Sequence, residues 1–68
     1  MIRSPACVDA LEARICSNVT HWREWRGFGW RECVSANGFS FDGRGSSPEA
    51  AVRDFLFRNN LSGWEAEQ

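Results

Sequence analysis

The chain contains no lysine, so its entire positive charge rests on eight arginines, set against nine carboxylates for a net charge of −1. That balance excludes a global field drawing the protein toward nucleic acid or an anionic membrane. The missing lysine reads as a genomic composition bias, although arginine is also the better residue for planar, bidentate contacts at an interface. Cysteine is scarce and unpaired in pattern: Cys7, Cys16 and Cys33 form an odd set with no C-x-x-C spacing. With one histidine, His21, they assemble neither a closed disulfide framework nor a four-ligand zinc site within one chain, so no metal is expected. They read as small buried hydrophobes in a reducing compartment. Long apolar runs are absent too. The opening Met-Ile-Arg-Ser-Pro-Ala-Cys lacks the core of a signal peptide, and nothing approaches the roughly 18 apolar residues of a membrane span. The expected location is the cytoplasm, with no membrane partner.

Catalytic signatures are equally thin. His21 stands alone, and Cys16 and Cys33 lie in no recognisable nucleophile context, so neither an enzyme nor a cofactor is expected. Gly43-Arg44-Gly45-Ser46-Ser47 has the glycine content of a phosphate loop but no lysine after it, and Glu49 sits where it would repel phosphate. It reads as a strand-to-helix turn.

What the chain does hold is aromatic surface: Trp22, Trp25, Trp30, Trp64 and five phenylalanines within 68 residues that are 43% hydrophobic. Each ring removes far more area from water than an alanine does, so the composition specifies a folded domain. A chain this short buries only roughly 60% of its unfolded surface, which leaves room for one core and one domain, 1–68, ordered from about residue 4 to about residue 64.

Ser4-Pro5 is a helix-start pair, and Val8, Leu11 and Ile15 recur at helical spacing, predicting a first helix from residue 5 to about residue 18. Val-Thr-His-Trp-Arg-Glu-Trp-Arg, residues 19–26, is β-branched and aromatic and reads as a strand. Its alternation is poor, so at least one of Trp22 and Trp25 is expected to stay partly exposed. Arg26-Gly27-Phe28-Gly29 makes the first turn.

Asn37-Gly38 is the preferred dipeptide of a two-residue type I′ hairpin, predicting Ala36 opposite Phe39, Val34 opposite Phe41 and Glu32 opposite Gly43. This register places Trp30, Val34, Ala36, Phe39 and Phe41 on an apolar face. Arg31, Cys33, Ser35, Ser40, Asp42 and Arg44 take the polar one, with Glu32 the single misfit, expected near solvent. Ser46 and Glu49 form a capping box for a second helix running to about Asn60, with Ala51, Val52, Phe55 and Leu56 inward and Arg53, Asp54 and Arg58 outward. Leu61 and Trp64 are expected to fold back over the core edge, and residues 65–68 to fray. The fold class is α+β: helix, three-stranded antiparallel sheet, helix (αβββα), with the helices on one face of the sheet.

Trp and Arg are the residues most enriched at binding hot spots. The candidate partner-binding residues are Trp22, Arg23, Trp25, Arg26, Arg31 and Arg44, expected beside one another on or near the uncovered sheet face.

The order of elements, with Gly43-Arg44-Gly45-Ser46-Ser47-Pro48-Glu49-Ala50-Ala51 joining the last strand to the last helix, resembles the double-stranded RNA-binding domain over about residues 5–61. That likeness implies the αβββα fold and, as the alternative function, nucleic-acid binding. Ser47, Pro48, Glu49 and Ala50 stand where that family carries phosphate-spanning lysines. In size, architecture and Trp-rich, near-neutral composition the chain also looks like small phage-encoded proteins, among them anti-CRISPR proteins. That likeness implies a non-catalytic protein-binding inhibitor in a bacterial cytoplasm, docking on a host CRISPR-Cas subunit and blocking it sterically. A homodimer through an edge strand or the sheet face is compatible with either function.

Overall fold

A computed structural model describes residues 5–61. Its elements run α1 (Ala6–Ile15), β1 (Val19–Trp25), β2 (Trp30–Ala36), β3 (Gly43–Gly45) and α2 (Pro48–Arg58), the αβββα order expected from the sequence. Ser4 and Trp64, to which a cap and a core-edge contact were assigned, lie outside the described residues.

Helix α1 starts from Pro5 as its N-cap, whose carbonyl accepts from Val8 and Asp9 N–H at 3.0 and 3.2 Å. It stops earlier than its periodicity predicts because Cys16 turns left-handed, with φ 55°. Helix α2 is capped by Ser47, whose hydroxyl accepts from Ala50 N–H at 3.2 Å. The expected box between Ser46 and Glu49 is therefore displaced by one residue, leaving Glu49 to act only through its charge near the positive helix end. The far end closes as a Schellman motif: Asn60 is left-handed at φ 61°, and Leu61 N–H reaches Leu56 carbonyl at 2.8 Å.

The sheet has strand order β1-β2-β3, antiparallel throughout, with Trp22 opposite Cys33 and Cys33 opposite Arg44. Gly27 at φ 90° and an Arg26 N–H to Gly29 carbonyl bond of 3.0 Å close the first hairpin. The second hairpin departs from the expected register by two residues: Val34 pairs with Gly43 and Glu32 with Gly45. A turn does form at Asn37-Gly38, with Phe39 N–H on Ala36 carbonyl at 3.3 Å. Gly38 alone takes positive φ (87°), so it is not the type I′ turn that would have kept the strands paired.

Three contacts outweigh the dipeptide's preference. Phe39 leaves the ladder to pack on Phe55, ring centroids 5.4 Å apart. Asn59 holds the Phe41 backbone from α2. Gly43 and Gly45 let α2 lie directly on β3, where a Cβ at either position would overlap Ala51, Phe55 or Ala50. Because the slip is an even number of residues, side-chain parity along β3 survives.

Val8, Leu11, Val34, Ala51, Val52, Phe55 and Leu56 form the core, flanked by Cys7, Ile15, Val19, Ala36, Phe39 and Leu61. Both helices thus cover the Val34 face, as expected. Trp30 shares that face but is 59% exposed, its ring meeting Trp25 edge-on at 5.4 Å; Phe41, no longer in a strand, is also exposed. Glu32, expected near solvent, is 8% exposed and buried instead. No helix among the described residues is long and apolar enough to cross a membrane.

Candidate arginine and aromatic groove

Strand parity divides five of the six sequence-derived candidates between two faces, and Arg26 lies in the first turn beyond β1. Trp22, Arg31 and Arg44 project from the uncovered face, together with Thr20, Glu24, Cys33 and Ser35. Arg23 and Trp25 project from the helix-bearing face, so the six, expected on or near the open face, are not all on it. Arg23 donates its Nε–H to Glu32 at 2.9 Å, and His21 Nε2 lies 2.7 Å from the other oxygen of the same carboxylate. Two cationic or polar side chains thus compensate the desolvation of a buried acid. The same parity sends His21 and Cys33 to opposite sides of the sheet, so they do not meet as a base and a nucleophile.

On the open face Glu24 is the hub. Its carboxylate accepts from Trp22 Nε1 at 3.1 Å, and Arg44 Nε and Arg26 Nη1 stand 3.6 and 3.7 Å away. The Trp22 hydrogen bond, against an opposing desolvation and with help from Arg44 and Arg26, holds the carboxyl below its ordinary range. Cys33, fully buried between the Trp22 and Arg44 columns, has its thiol pushed up, chiefly by burial.

At the end of the sheet beyond Glu24, a groove of about 610 Å³ is lined by Trp25, Arg26, Phe28, Arg31, Arg44, Asp54 and Arg58. Every strand, the first turn and α2 contribute. Four of the six candidates therefore do come together, with Trp25 reaching the groove from the strand end and Trp22 and Arg23 outside its lining. Three members were missed. Phe28 was assigned a turn role, yet it is 87% exposed, and Asp54 and Arg58 were assigned to the outer face of α2. Their spacing of four was legible as an ion pair, here 2.8 Å. Their approach to the sheet was not, because it depends on the close packing that Gly43 and Gly45 permit.

Four arginines face one aspartate in this lining, and their commitments differ. Asp54 Oδ2 accepts from both Arg58 Nε and the backbone N–H of Arg44, at 2.8 and 2.9 Å. Arg26 and Arg44 share Glu24. Arg31 has no carboxylate within ion-pair distance among the described residues. A planar cation thus faces the groove beside exposed rings, an arrangement suited to carboxylate or phosphate with an adjoining flat or apolar group.

No family model matches this chain, and neither a curated protein nor a solved structure matches it.

Proposed function

We propose that the protein is a small non-catalytic binding module, an inhibitor of anti-CRISPR type encoded by a phage. In this reading it docks on a subunit of a host effector complex in the bacterial cytoplasm and blocks that complex sterically. The observation that carries the reading is the groove, which brings four arginines, two exposed rings and one aspartate together from all three strands, the first turn and α2. Aromatic and arginine side chains are where interface energy concentrates, and their position on paired strands and a capped helix lowers the ordering cost of binding. Carboxylates interleaved with the arginines, Asp54 and Glu24, suit a protein surface of mixed charge better than a uniform polyanion.

The test is affinity capture from a bacterial host with wild-type bait and with Arg31→Glu bait. Wild type is expected to retain effector subunits and the variant to lose them. Retention of RNA without protein ends this reading.

The alternative, nucleic-acid binding, is favoured by the surplus of arginine over carboxylate in the same groove and by Trp25 and Phe28 as stacking surfaces. Its discriminator is salt: phosphate binding weakens steeply between about 50 and 200 mM, and a flat response removes it.

A further inference from the structure

The two edges of the sheet are treated unequally. On β3 the outward N–H of Arg44 is taken by Asp54, and the strand spans only Gly43–Gly45. On β1 the edge is seven residues long and contains no proline. Its backbone directions follow from two bonds. Arg26 N–H bonds Gly29 carbonyl across the first hairpin, so with the alternation of an antiparallel ladder Glu24, Trp22 and Thr20 turn their backbone groups toward β2. Val19, His21, Arg23 and Trp25 turn theirs outward. The Val19 N–H does point outward, onto Glu12 at 2.9 Å. Among the described residues no hydrogen bond engages the outward groups of His21, Arg23 and Trp25. An edge left open from His21 to Trp25 is a template for another strand.

We propose that this edge pairs with β1 of a second copy, antiparallel, with Trp22 facing Trp22 of the partner copy across the two-fold axis. The occupant and its register follow from the strand's own sequence. Only registers that pair outward-facing residues with each other satisfy the ladder. Centring on Arg23 sets two guanidiniums face to face. Centring on His21 leaves Glu24 and Trp25 beyond the pairing and places Trp22 against Thr20.

Centring on Trp22 sets His21 against Arg23, both already anchored on Glu32, so no bare charges meet. It sets Thr20 against Glu24, and the two tryptophans form a close, non-hydrogen-bonded pair on the open face. It also matches shape. The start of β1 is covered by α1, while its end carries the bare Trp25 and Trp30, 58% and 59% exposed. Antiparallel pairing lays that bare end alongside the partner's α1 and sets Trp25 opposite Val19 of the partner copy, whose N–H stays on Glu12, so the ladder rests on the His21 and Arg23 bonds. The result is a continuous six-stranded sheet with all helices on one side, enlarging a core that a chain this short cannot enlarge alone.

Sedimentation of the full chain over a range of concentrations tests this, with amide exchange read residue by residue. A monomer–dimer equilibrium is expected, with the His21 and Arg23 amides gaining protection as concentration rises. A chain that stays monomeric at millimolar concentration, or these two amides exchanging freely in the dimer, overturns the proposal. Trp22→Glu and Trp22→Lys each put like charges face to face, raising the dissociation constant by about 100-fold or more. Mixed together, the two variants associate again. If the mixture stays apart while each partner retains its circular dichroism, the register is refuted.

Discussion

Asn59, at the C-cap of α2, clasps the backbone of Phe41 from both sides, accepting its N–H at 3.2 Å and donating to its carbonyl at 2.9 Å. The same amide also donates to Phe55 carbonyl at 2.9 Å in its own helix. One side chain therefore ties residues 39–42, which have left the ladder, to the end of α2, and so helps select the observed register over the two-residue hairpin. Asn59→Ala removes all three bonds. With part of the site open to water, the expected loss is about 1–2 kcal/mol, read as a fall in the thermal midpoint. Asn59→Asp, which keeps an acceptor but no donor, is expected to be little better.

The glycines of β3 make a sharper test because three of the chain's glycines differ in surroundings and not in chemistry. Gly43→Ala and Gly45→Ala each drive a methyl into α2, at Phe55 and Ala51 or at Ala50, and either α2 lifts or β3 leaves the sheet. Each is expected to cost roughly 1–3 kcal/mol or more. Gly29→Ala meets nothing within 4 Å and is the control, expected to unfold at the same denaturant concentration as wild type. Equal stability for all three variants would refute the close packing of α2 on β3.

These positions also show where sequence reasoning stops. The alternation around Val34 and the helical spacing of Ala51, Val52, Phe55 and Leu56 were legible because each is a periodic signal read within one element. Asn37-Gly38 misled because a local turn preference worth a fraction of the available energy competed with Phe39 on Phe55 and Asn59 on Phe41, contacts 16 and 18 residues apart in sequence. Of the groove, Arg26, Arg31 and Arg44 were legible as cationic strand and turn positions. Asp54 and Arg58 were not, since only the tertiary approach of α2 brings them to the sheet.

Glu32 looked like a misfit on the apolar face because its compensation is supplied from β1, one strand away. Glu32→Ala strands His21 and Arg23 without their shared acceptor and is expected to lower stability by about 1–3 kcal/mol in chemical denaturation. Arg23→Ala costs less, at most about 1 kcal/mol, because its side chain is 66% exposed and water replaces the carboxylate. The ranking is the test: Arg23→Ala proving the more damaging would mean that the cluster is not organised by burial of the acid.

The three thiols are ordered by environment. Cys16 is exposed, Cys7 is half-buried with its thiol raised by burial and then by Glu49, and Cys33 is fully buried with its thiol raised chiefly by burial. Alkylation followed by mass spectrometry is expected to modify Cys16 first and Cys33 last, because the thiolate is the reactive species. The sign of the linkage follows. A thiol whose folded value is raised favours the fold while protonated, so the contribution of Cys7 and Cys33 is present at neutral pH and is lost as pH climbs through their folded values. Glu24 runs the opposite way: its depressed carboxyl stabilises above the ordinary carboxylate range, and that contribution disappears as pH falls through the lowered value. Trp22→Phe, which deletes the leading cause of that depression, is expected to return the Glu24 titration toward its ordinary position by NMR.

Within the groove, the arginines are expected to separate into a binding residue and a bracing residue. Arg31 is held by no carboxylate among the described residues, so Arg31→Ala leaves the thermal midpoint within the range of ordinary surface substitutions, about 0.5 kcal/mol, while weakening partner binding severalfold or more. Arg58 spends its guanidinium on Asp54, the same carboxylate that terminates the β3 edge at Arg44. Arg58→Ala leaves Asp54 held by the Arg44 N–H alone, so its stability cost is likewise no more than about 0.5 kcal/mol, and it is expected to weaken binding less than Arg31→Ala does. Isothermal titration against the captured partner, run beside thermal melts of the same samples, separates the two. Binding that survives Arg31→Ala unchanged would move the contact surface away from this groove, because no other guanidinium in the lining is as uncommitted.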